Sequence, residues 1–454
     1  MRPRPFDAGP GLRPWALAQG RPERVKRVEG RRSGATASAR GAPQWHPLAV
    51  AGAVAAIVMV GGVVRLGLVA CSSPQAPRPL EYSVIAEHLN SDKGYTFEQY
   101  GAVYRAWKEP LYIVGLAWLL RATSHSRIAI LLMQGACGVA VALAAAWLGW
   151  WVLGDRWAAT ITGLLVAVNP FLVYYDTQWI HPLSLDSLLF VATVGTILIA
   201  ARQPQGVIQR SVWAGLIAGL ALWQRSTLLI VGLFAWAAVL WKSPSARRPM
   251  CRGMAIWCVV TLLVIAPWLL RNARLFGRLI MTTDAAHIVW LGNNPWSNGT
   301  YSDQAGHRVI AFADATFQEQ LSQASELGQY DLFLGATRRF IVDHPGRFFQ
   351  LILRRVGSFA WFSPNAGVGY PLWQEALYRI AYVSLLLMGA GGALIFWRRA
   401  DLVDRRTGWV LIASVVGVAA VHAVTAINVK HRVPLELLLS IFASGGLQWC
   451  LGKR

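Results

Sequence analysis

Charged residues are scarce in this sequence, and their scarcity excludes most soluble folds. They make up 14% of the 454 residues, against about 25% in an ordinary soluble domain. Apolar residues make up 55%, and several apolar runs approach the roughly 20 residues that cross the hydrocarbon core of a bilayer. The 22 Trp residues fit the same setting, because Trp favours the interface between lipid and water. The composition predicts a multi-pass integral membrane protein.

Cysteine is sparse as well, with five residues and no C-x-x-C spacing. An odd number of isolated cysteines argues against a disulfide framework and against a zinc site. Cys71 follows Leu68-Val69-Ala70 as in a bacterial lipobox, but the basic segment before it is too long for a signal peptide. The sequence shows no cluster of metal ligands and no nucleotide-sugar motif, so we expect neither a metal nor an organic cofactor.

Acidic residues are few, with 22 Asp and Glu against 43 Lys and Arg. A basic chain can bind nucleic acid, adhere to anionic lipid or expose basic loops to the cytoplasm. The excess is local here: residues 1–46 carry ten basic and three acidic residues, whereas 271–350 carry seven of each. Such alternation indicates membrane topology, and we expect no nucleic-acid partner.

The apolar runs predict an all-α polytopic membrane protein with about 10–13 transmembrane or re-entrant helices. No repeat of fixed period is visible, which excludes solenoids and propellers. The predicted spans are 47–70, 110–120, 128–153, 158–175, 183–200, 214–223, 228–241, 255–270, 376–397, 409–427 and 433–451.

Four regions follow from this pattern. Residues 1–46 are expected to form a disordered basic cytoplasmic tail, and residues 47–270 an N-terminal transmembrane module that includes an outer loop at 71–109. Residues 271–371 form a second outer-face region, with one apolar stretch near 348–362, and residues 372–454 the C-terminal transmembrane helices.

The basic loops predict that both termini lie in the cytoplasm and that the two long loop regions face the periplasm or the exterior. Between residues 111 and 200 the number of crossings then has the wrong parity. One apolar run there must be a re-entrant pair, a broken helix or an interfacial helix, and hydropathy does not distinguish among these.

An acidic residue opens a predicted amphipathic helix in the first long loop. From Glu81 to Leu89, the residues Tyr82, Ile85 and Leu89 recur at helical spacing. A carboxylate in the first turn is favoured by the helix dipole, and it could equally serve as a general base. The residues alone leave both roles of Glu81 open, and capping is the commoner one.

Two arginines lie within apolar runs. Arg65, near the end of the first span, is expected to snorkel to the interface. Arg225 lies inside an apolar stretch, where a bare charge costs several kcal/mol. It requires a carboxylate such as Asp176 or Asp186, an aqueous cavity or an anionic ligand, and a guanidinium binds phosphate in a two-pronged manner.

The second outer region contains a segment rich in turn residues, from Asp284 to Asp303. Its core, Gly292 to Gly299, reads as consecutive turns. An irregular segment near a membrane suits a binding loop, although an ordinary polar connector has the same composition.

A series of short motifs runs in order from about His46 to Leu451. They are Glu81-Tyr82-(x)3-Ala86-(x)2-Leu89-(x)4-Gly94-Tyr95, Lys108-x-Pro110-x-Tyr112, Asn169-Pro170, Gly219-Leu220-Ala221-Leu222-(x)2-Arg225, Pro267-Trp268-(x)2-Arg271-Asn272-(x)3-Phe276-Gly277, Gly292-Asn293 with Gly299-x-Tyr301, His344-Pro345 and Arg432-Val433-Pro434. In this order the sequence resembles the GT-C class of integral membrane glycosyltransferases, above all bacterial relatives of the protein O-mannosyltransferases and of the lipid A aminoarabinose transferase.

The resemblance implies a GT-C-type fold in the bacterial inner membrane. It also implies transfer of a hexosyl or pentosyl group from a polyprenyl-phosphate donor, within the membrane lipid, to an envelope lipid, glycan or protein acceptor. Glu81 would be the catalytic base. The expected donor phosphate ligands are Lys108, Arg225, Arg271 and Arg432, and the expected substrate-binding residues are Tyr82, Tyr112, Asn272 and Asn293.

The sequence departs from the family at two places. The family usually carries an Asp a few residues before the first Tyr, where this chain has 75–80 without an acid, and Glu81 is the nearest one. The Thr-Glu that often follows the mid-chain Pro is replaced by Thr177-Gln178. A transporter or flippase of polyprenyl-linked glycans therefore stays an alternative, as does a relative without catalytic activity.

Overall fold

A computed structural model describes residues 47–71, 76–202, 204–362, 372–399 and 402–452 of the chain. The predicted cytoplasmic tail at 1–46 lies outside these ranges. Within them the chain forms 17 α-helices, three 3-10 turns and one hairpin of two short strands. The predicted all-α class is confirmed.

The first part of the chain places a short helix and a hairpin between long apolar helices. Its elements are α1 Pro47–Ala70, α2 Glu81–Leu89, β1 Phe97–Gln99, β2 Ala102–Tyr104, α3 Pro110–Ala122, α4 Arg127–Leu153, α5 Arg156–Ala167, α6 Pro170–Gln178 and α7 Leu183–Arg202.

The second part alternates apolar helices with a set of shorter amphipathic ones. Its elements are α8 Val207–Gln224, α9 Leu228–Trp241, a 3-10 turn at Pro244–Ala246, α10 Arg247–Phe276, α11 Asp284–Gly292, a 3-10 turn at Val309–Phe312, α12 Ala315–Gln323, α13 Glu326–Asp343, α14 Pro345–Ala360, α15 Leu372–Arg399, α16 Leu402–Val424, a 3-10 turn at Val429–Arg432 and α17 Val433–Cys450.

Local chemistry explains where several of these helices begin. The Ser126 hydroxyl accepts a hydrogen bond from Ala129 N at the start of α4 (3.3 Å), and the Asp155 carboxylate does the same for Ala158 N at the start of α5 (2.8 Å). Such side chains satisfy N–H groups that have no partner within the helix. Pro110 occupies the first turn of α3, where a missing N–H costs nothing.

Seven of the described helical segments are long and apolar enough to cross a membrane, and a bent pair would make an eighth. The seven are Pro47–Ala70, Arg127–Leu153, Leu183–Arg202, Pro244–Phe276, Leu372–Arg399, Arg405–Val424 and Val429–Cys450. The helices α3 and α9 are apolar but shorter. Together these segments form a polytopic membrane protein, as the composition predicted.

The bent pair lies where the crossings had the wrong parity. The predicted span at 158–175 is two helices, α5 and α6, which meet at 45°. α5 ends at Ala167, and Asn169 caps α6, because its Oδ1 accepts hydrogen bonds from Phe171 N and Leu172 N, both at 3.0 Å. Pro170 follows in the first turn. The expectation of one irregular run in this stretch is confirmed.

Arg65 does not snorkel as expected. Its side chain is only 5% exposed, and Nη2 lies 2.8 Å from Oδ2 of Asp176 in α6. Nη1 donates to the carbonyls of Gly61 and Ala167, the latter the last residue of α5. A buried charge needs a partner of opposite sign, and this ion pair therefore fastens α1 to both helices of the bent pair.

The ion pair fits only because α4 has a glycine beside it. An ideal Cβ built on Gly138 would overlap Oδ2 of Asp176 and the guanidinium of Arg65. The absence of a side chain at Gly138 lets the backbone of α4 approach both charged groups.

Candidate active site

The predicted helix in the first loop forms as expected, with Glu81 as its first residue. Tyr82 is buried behind it and packs edge-on against Tyr112 and His181, with ring centroids 5.8 and 5.5 Å away. Tyr112 is itself buried, and its hydroxyl donates to Oε1 of Gln134 (2.7 Å). Glu81 is partly open to solvent above this aromatic layer, with 27% of its side chain exposed.

Lys108 lies in the loop before α3 and connects two acids. Its Nζ is 3.3 Å from Oε1 of Glu81 and also forms an ion pair with Asp284. The faces of Tyr82 and Trp107 lie 5.9 and 5.5 Å from the same nitrogen. Burial opposes the charge, but Asp284 and Glu81 outweigh it and hold the pKa of Lys108 well above its ordinary value.

Asp284 belongs to this group although sequence reasoning assigned it no role. It is the first residue of α11, and His287 Nδ1 lies 3.3 Å from its Oδ1. Burial acts to raise the pKa of Asp284, but Lys108 and His287 lower it to about 2. Its position at the start of the predicted binding loop was the only signal in the sequence.

Arg225 lies at the break between α8 and α9, where its backbone is extended. Its Nε is 2.7 Å from Oδ2 of Asp186, so one of the carboxylates considered from the sequence is its partner. The side chain keeps 23% of its surface exposed. Glu109 holds the same break, because its Oε1 accepts a hydrogen bond from Ser226 N (2.8 Å).

Lys430 is the second residue that sequence reasoning missed. It lies in the 3-10 turn before α17, and its Nζ is 3.2 Å from Nε2 of His181. The charged groups that act on it most strongly include Arg225, Glu81 and Lys108. We call Glu81, Lys108, Asp284, Arg225, Asp186 and Lys430 the central group.

Arg432 was expected to bind the donor phosphate, but the structure gives it another setting. It is 1% exposed. Its guanidinium donates to the carbonyls of Ser358, Phe359 and Trp361 at the end of α14. Since carbonyls at the end of a helix have no partner in the helix, Arg432 secures α14 and does not join the central group.

Asn272, expected to bind substrate, is buried at the end of α10. Its Nδ2 donates to the carbonyls of Ile280 (2.9 Å) and Met281 (3.2 Å), and its Oδ1 accepts from Nη1 of Arg271 (2.7 Å). These bonds hold the turn after α10.

Asn293 is fully buried. Its Nδ2 donates to the carbonyls of Val289 (2.8 Å) and Val424 (2.9 Å), and its Oδ1 accepts from Nη2 of Arg355 (2.9 Å). This amide, like that of Asn272, is occupied by the protein.

Arg271 lies apart from the central group. Its guanidinium packs over the rings of Trp268 and Tyr95, at 4.6 and 5.5 Å, and Nη2 donates to the carbonyl of Arg105 (3.0 Å). Tyr95 in turn donates its hydroxyl to the carbonyl of Lys108 (2.9 Å). One aromatic ring therefore separates Arg271 from the backbone of Lys108.

Among the described residues, no three His, Cys, Asp or Glu side chains are grouped so that they could hold a metal ion. The central group is instead an arrangement of paired carboxylates and cations, which suits proton transfer and the binding of an anion.

No family model and no curated protein matches the chain, whereas solved structures do. The archaeal oligosaccharyltransferase AglB from Archaeoglobus fulgidus, in complex with an inhibitory peptide and a dolichol-phosphate, has a TM-score of 0.54 at 14% identity, over 89% of this chain and 50% of that one. A second structure of the Archaeoglobus fulgidus enzyme, with Zn and sulfate, has a TM-score of 0.51 at 14% identity, over 88% and 49%.

ArnT from Cupriavidus metallidurans, bound to undecaprenyl phosphate, has a TM-score of 0.42 at 14% identity, over 88% of this chain and 78% of that one. The two archaeal structures show the fold: the chain has the polytopic GT-C fold of a membrane oligosaccharyltransferase. It spans about half the length of those archaeal chains.

Proposed function

We propose that this chain is a glycosyltransferase that moves a hexosyl or pentosyl group from a polyprenyl-phosphate donor to an acceptor hydroxyl. The observation that carries the proposal is Glu81, a partly exposed carboxylate, 3.3 Å from Lys108, in a chain with the fold of a membrane oligosaccharyltransferase. The peptide and dolichol-phosphate in that neighbour support a lipid-linked donor. The acceptor would be an envelope lipid, glycan or protein.

The proposed reaction is a direct displacement at the anomeric carbon. Glu81 takes the proton from the acceptor hydroxyl, the acceptor oxygen forms a bond to the anomeric carbon, and the bond from that carbon to the phosphate oxygen breaks. Polyprenyl phosphate leaves with the electron pair, and the configuration at the carbon is inverted.

Three cations of the central group are available to the leaving phosphate. Lys430 is acted on electrostatically by Arg225, Glu81 and Lys108, and Lys108 lies 3.3 Å from Glu81. Fixed positive charge near a developing phosphate charge lowers the barrier to displacement. We leave Arg432 out of the donor site because its guanidinium is bonded to carbonyls of α14.

Two observations on the other acids of the region favour Glu81 as the base. Asp284 has a pKa of about 2, which makes it a poor base at neutral pH and a good counter-ion for Lys108. Asp92 and Glu98, two other acids of the first loop, are exposed and lie outside the central group.

We also propose the orientation that the basic loops predict, with the central group facing the periplasm or exterior of a bacterial inner membrane. That side gives access to envelope acceptors.

The first test compares lipid-linked sugars and envelope glycans in cells with and without the protein. The second measures sugar transfer by the purified wild type and by Glu81→Gln. The donor is the lipid-linked sugar whose amount differs in the first test. We expect Glu81→Gln to lose about 10²–10⁴-fold in rate and to keep donor binding, because Gln preserves size and hydrogen bonding.

The matched control is Glu87→Gln, an exposed acid on the same helix, which should transfer at the wild-type rate. If Glu81→Gln keeps most of its rate, Glu81 only favours the start of α2 and pairs with Lys108. An unchanged sugar and glycan profile in cells that lack the protein would remove the transferase proposal itself.

A further inference from the structure

A second charged region lies beside the C-terminal end of α10. A pocket of about 500 Å³ opens there, lined by Lys93, Arg105, Arg271 and Arg274 together with Tyr95 and Leu275. No acid lines it. We call it the side pocket.

The four cations of the side pocket form no ion pair with an acid of the described residues, and the carboxylate of Glu326 beside them accepts a hydrogen bond from the backbone N–H of Arg105 (2.7 Å). Within the ranges that the structure describes, no carboxylate comes within 4 Å of their charged nitrogens to form an ion pair. Arg278, just beyond α10, shows the usual alternative, because it pairs with Asp331 at 2.8 Å. Like charges grouped around a pocket repel one another, and a bound anion would relieve that repulsion.

Arg271 is held ready for such an anion. Two of its N–H groups donate to Asn272 and to the carbonyl of Arg105, and its plane rests on Trp268 and Tyr95. A guanidinium fixed in this way loses little freedom when its remaining N–H groups bind phosphate.

The position of the side pocket favours a lipid headgroup as the anion. The segment Pro244–Phe276 is apolar and long enough to cross a membrane, and the pocket is at its end. Leu270, Leu275 and Leu279 are 55%, 43% and 73% exposed on this part of the chain. Exposed apolar side chains beside a group of cations are the pattern that receives an anionic lipid at a membrane surface.

We propose that the side pocket binds the phosphate of an anionic membrane phospholipid, at a site separate from the donor phosphate in the central group. This site does not depend on the transferase activity. A free phosphate offers the same chemistry, and the experiment distinguishes the two sources.

The test measures binding of fluorescent phosphatidylglycerol to the purified full-length protein in detergent, with fluorescent phosphatidylcholine as the neutral reference. The variant is Arg105→Gln/Arg274→Gln, whose side chains are exposed; only the carbonyl of Arg105 bonds Arg271, so the substitution keeps that contact. We expect wild type to prefer phosphatidylglycerol and the double variant to bind it about 10- to 30-fold more weakly.

Two controls separate this site from general charge and from the central group. Arg338→Gln/Arg339→Gln removes the same charge from an exposed part of α13 and should bind like wild type. Arg225→Lys should also bind phosphatidylglycerol normally. If the double variant proves unstable, Lys93→Gln alone should still weaken binding.

Three results would overturn the proposal. One is equal weakening by the α13 control, which would indicate attraction by net charge alone. Another is unchanged phosphatidylglycerol binding in well-folded Arg105→Gln/Arg274→Gln. The third is displacement of the lipid by inorganic phosphate at comparable concentration, which would identify the ligand as a free anion.

Discussion

The central group and the side pocket share the loop before α3, yet the cation that this loop gives to each site has opposite surroundings. Lys108 contacts two carboxylates in the central group, while Arg105, three residues earlier, lines a pocket without an acid. Lys108 is largely shielded from solvent and Arg105 is exposed. Enclosed cations need partners within the protein, whereas cations in an open pocket can be left to water or to a ligand.

The same rule holds for Arg65 and Arg225, and the enclosed Arg432 meets it with backbone carbonyls instead of a carboxylate. Arg65 pairs with Asp176, and Arg225 pairs with Asp186. The contrast predicts that removing an enclosed charge matters more than removing an exposed one, and the variants below test it from the largest expected effect to the smallest.

The largest effect on stability is expected at Arg65. Arg65→Met leaves Asp176 buried without its partner and should lower the free energy of unfolding by about 3–5 kcal/mol. Arg65→Met/Asp176→Leu removes both charges and should be clearly more stable than the single variant. Unfolding by detergent titration measures both, with the exposed Arg121→Met as the control. Equal loss in the single and double variants would mean that the pair itself matters little.

Arg225→Lys should act mainly on transfer. Lys keeps the charge but loses the two-pronged geometry, and we expect the rate per folded molecule to fall about 10- to 100-fold. The exposed Arg252→Lys on α10 is the matched control. A variant that is less stable but transfers normally per folded molecule would show that Arg225 serves only the ion pair with Asp186.

The ion pair between Asp284 and Lys108 can be tested through the pH dependence of stability. Its pKa is lowered from 3.8 to about 2 in the folded protein, so its contribution to stability is present above about pH 4 and is lost as the pH falls through 2. The contribution amounts to about 2 kcal/mol. The difference in unfolding free energy between wild type and Asp284→Asn should shrink over this range, and a constant difference would contradict the pairing.

The smallest effect is expected in the side pocket. Arg274→Gln removes an exposed charge without an acidic partner, so the free energy of unfolding should change by no more than about 0.5 kcal/mol. The same unfolding titration measures it in the absence of anionic lipid. If the free energy of unfolding fell by several kcal/mol, Arg274 would have a partner within the protein, and the contrast between the side pocket and the central group would be wrong.

Hydropathy was sufficient to predict where most helices lie. The predicted bounds of α1 and α9 agree with the structure residue for residue, because apolar runs between polar segments mark a helix in lipid directly. The break between α5 and α6 could not be located in the same way. It falls inside one apolar run, and the bend depends on local capping by Asn169.

Ion pairs between residues distant in the sequence could not be predicted either. Arg65 and Asp176 are 111 residues apart, and nothing in the sequence alone pairs them. At the late Arg-x-Pro motif the resemblance pointed to Arg432, whereas in the structure it is Lys430 that contacts His181 and belongs to the central group. The sequence does not show which of two neighbouring cations faces the site, because that depends on the direction in which the 3-10 turn points each side chain.

The close approach at Gly138 couples three positions of the sequence: Gly138, Arg65 and Asp176. Any side chain at 138 would displace Asp176 or Arg65, and loss of either charge leaves the other buried without a partner. The three residues come from α1, α4 and α6, so a change at one alters the cost of a change at the other two. We therefore expect related sequences to keep these three residues together or to replace them together, while the nearby exposed apolar positions vary independently.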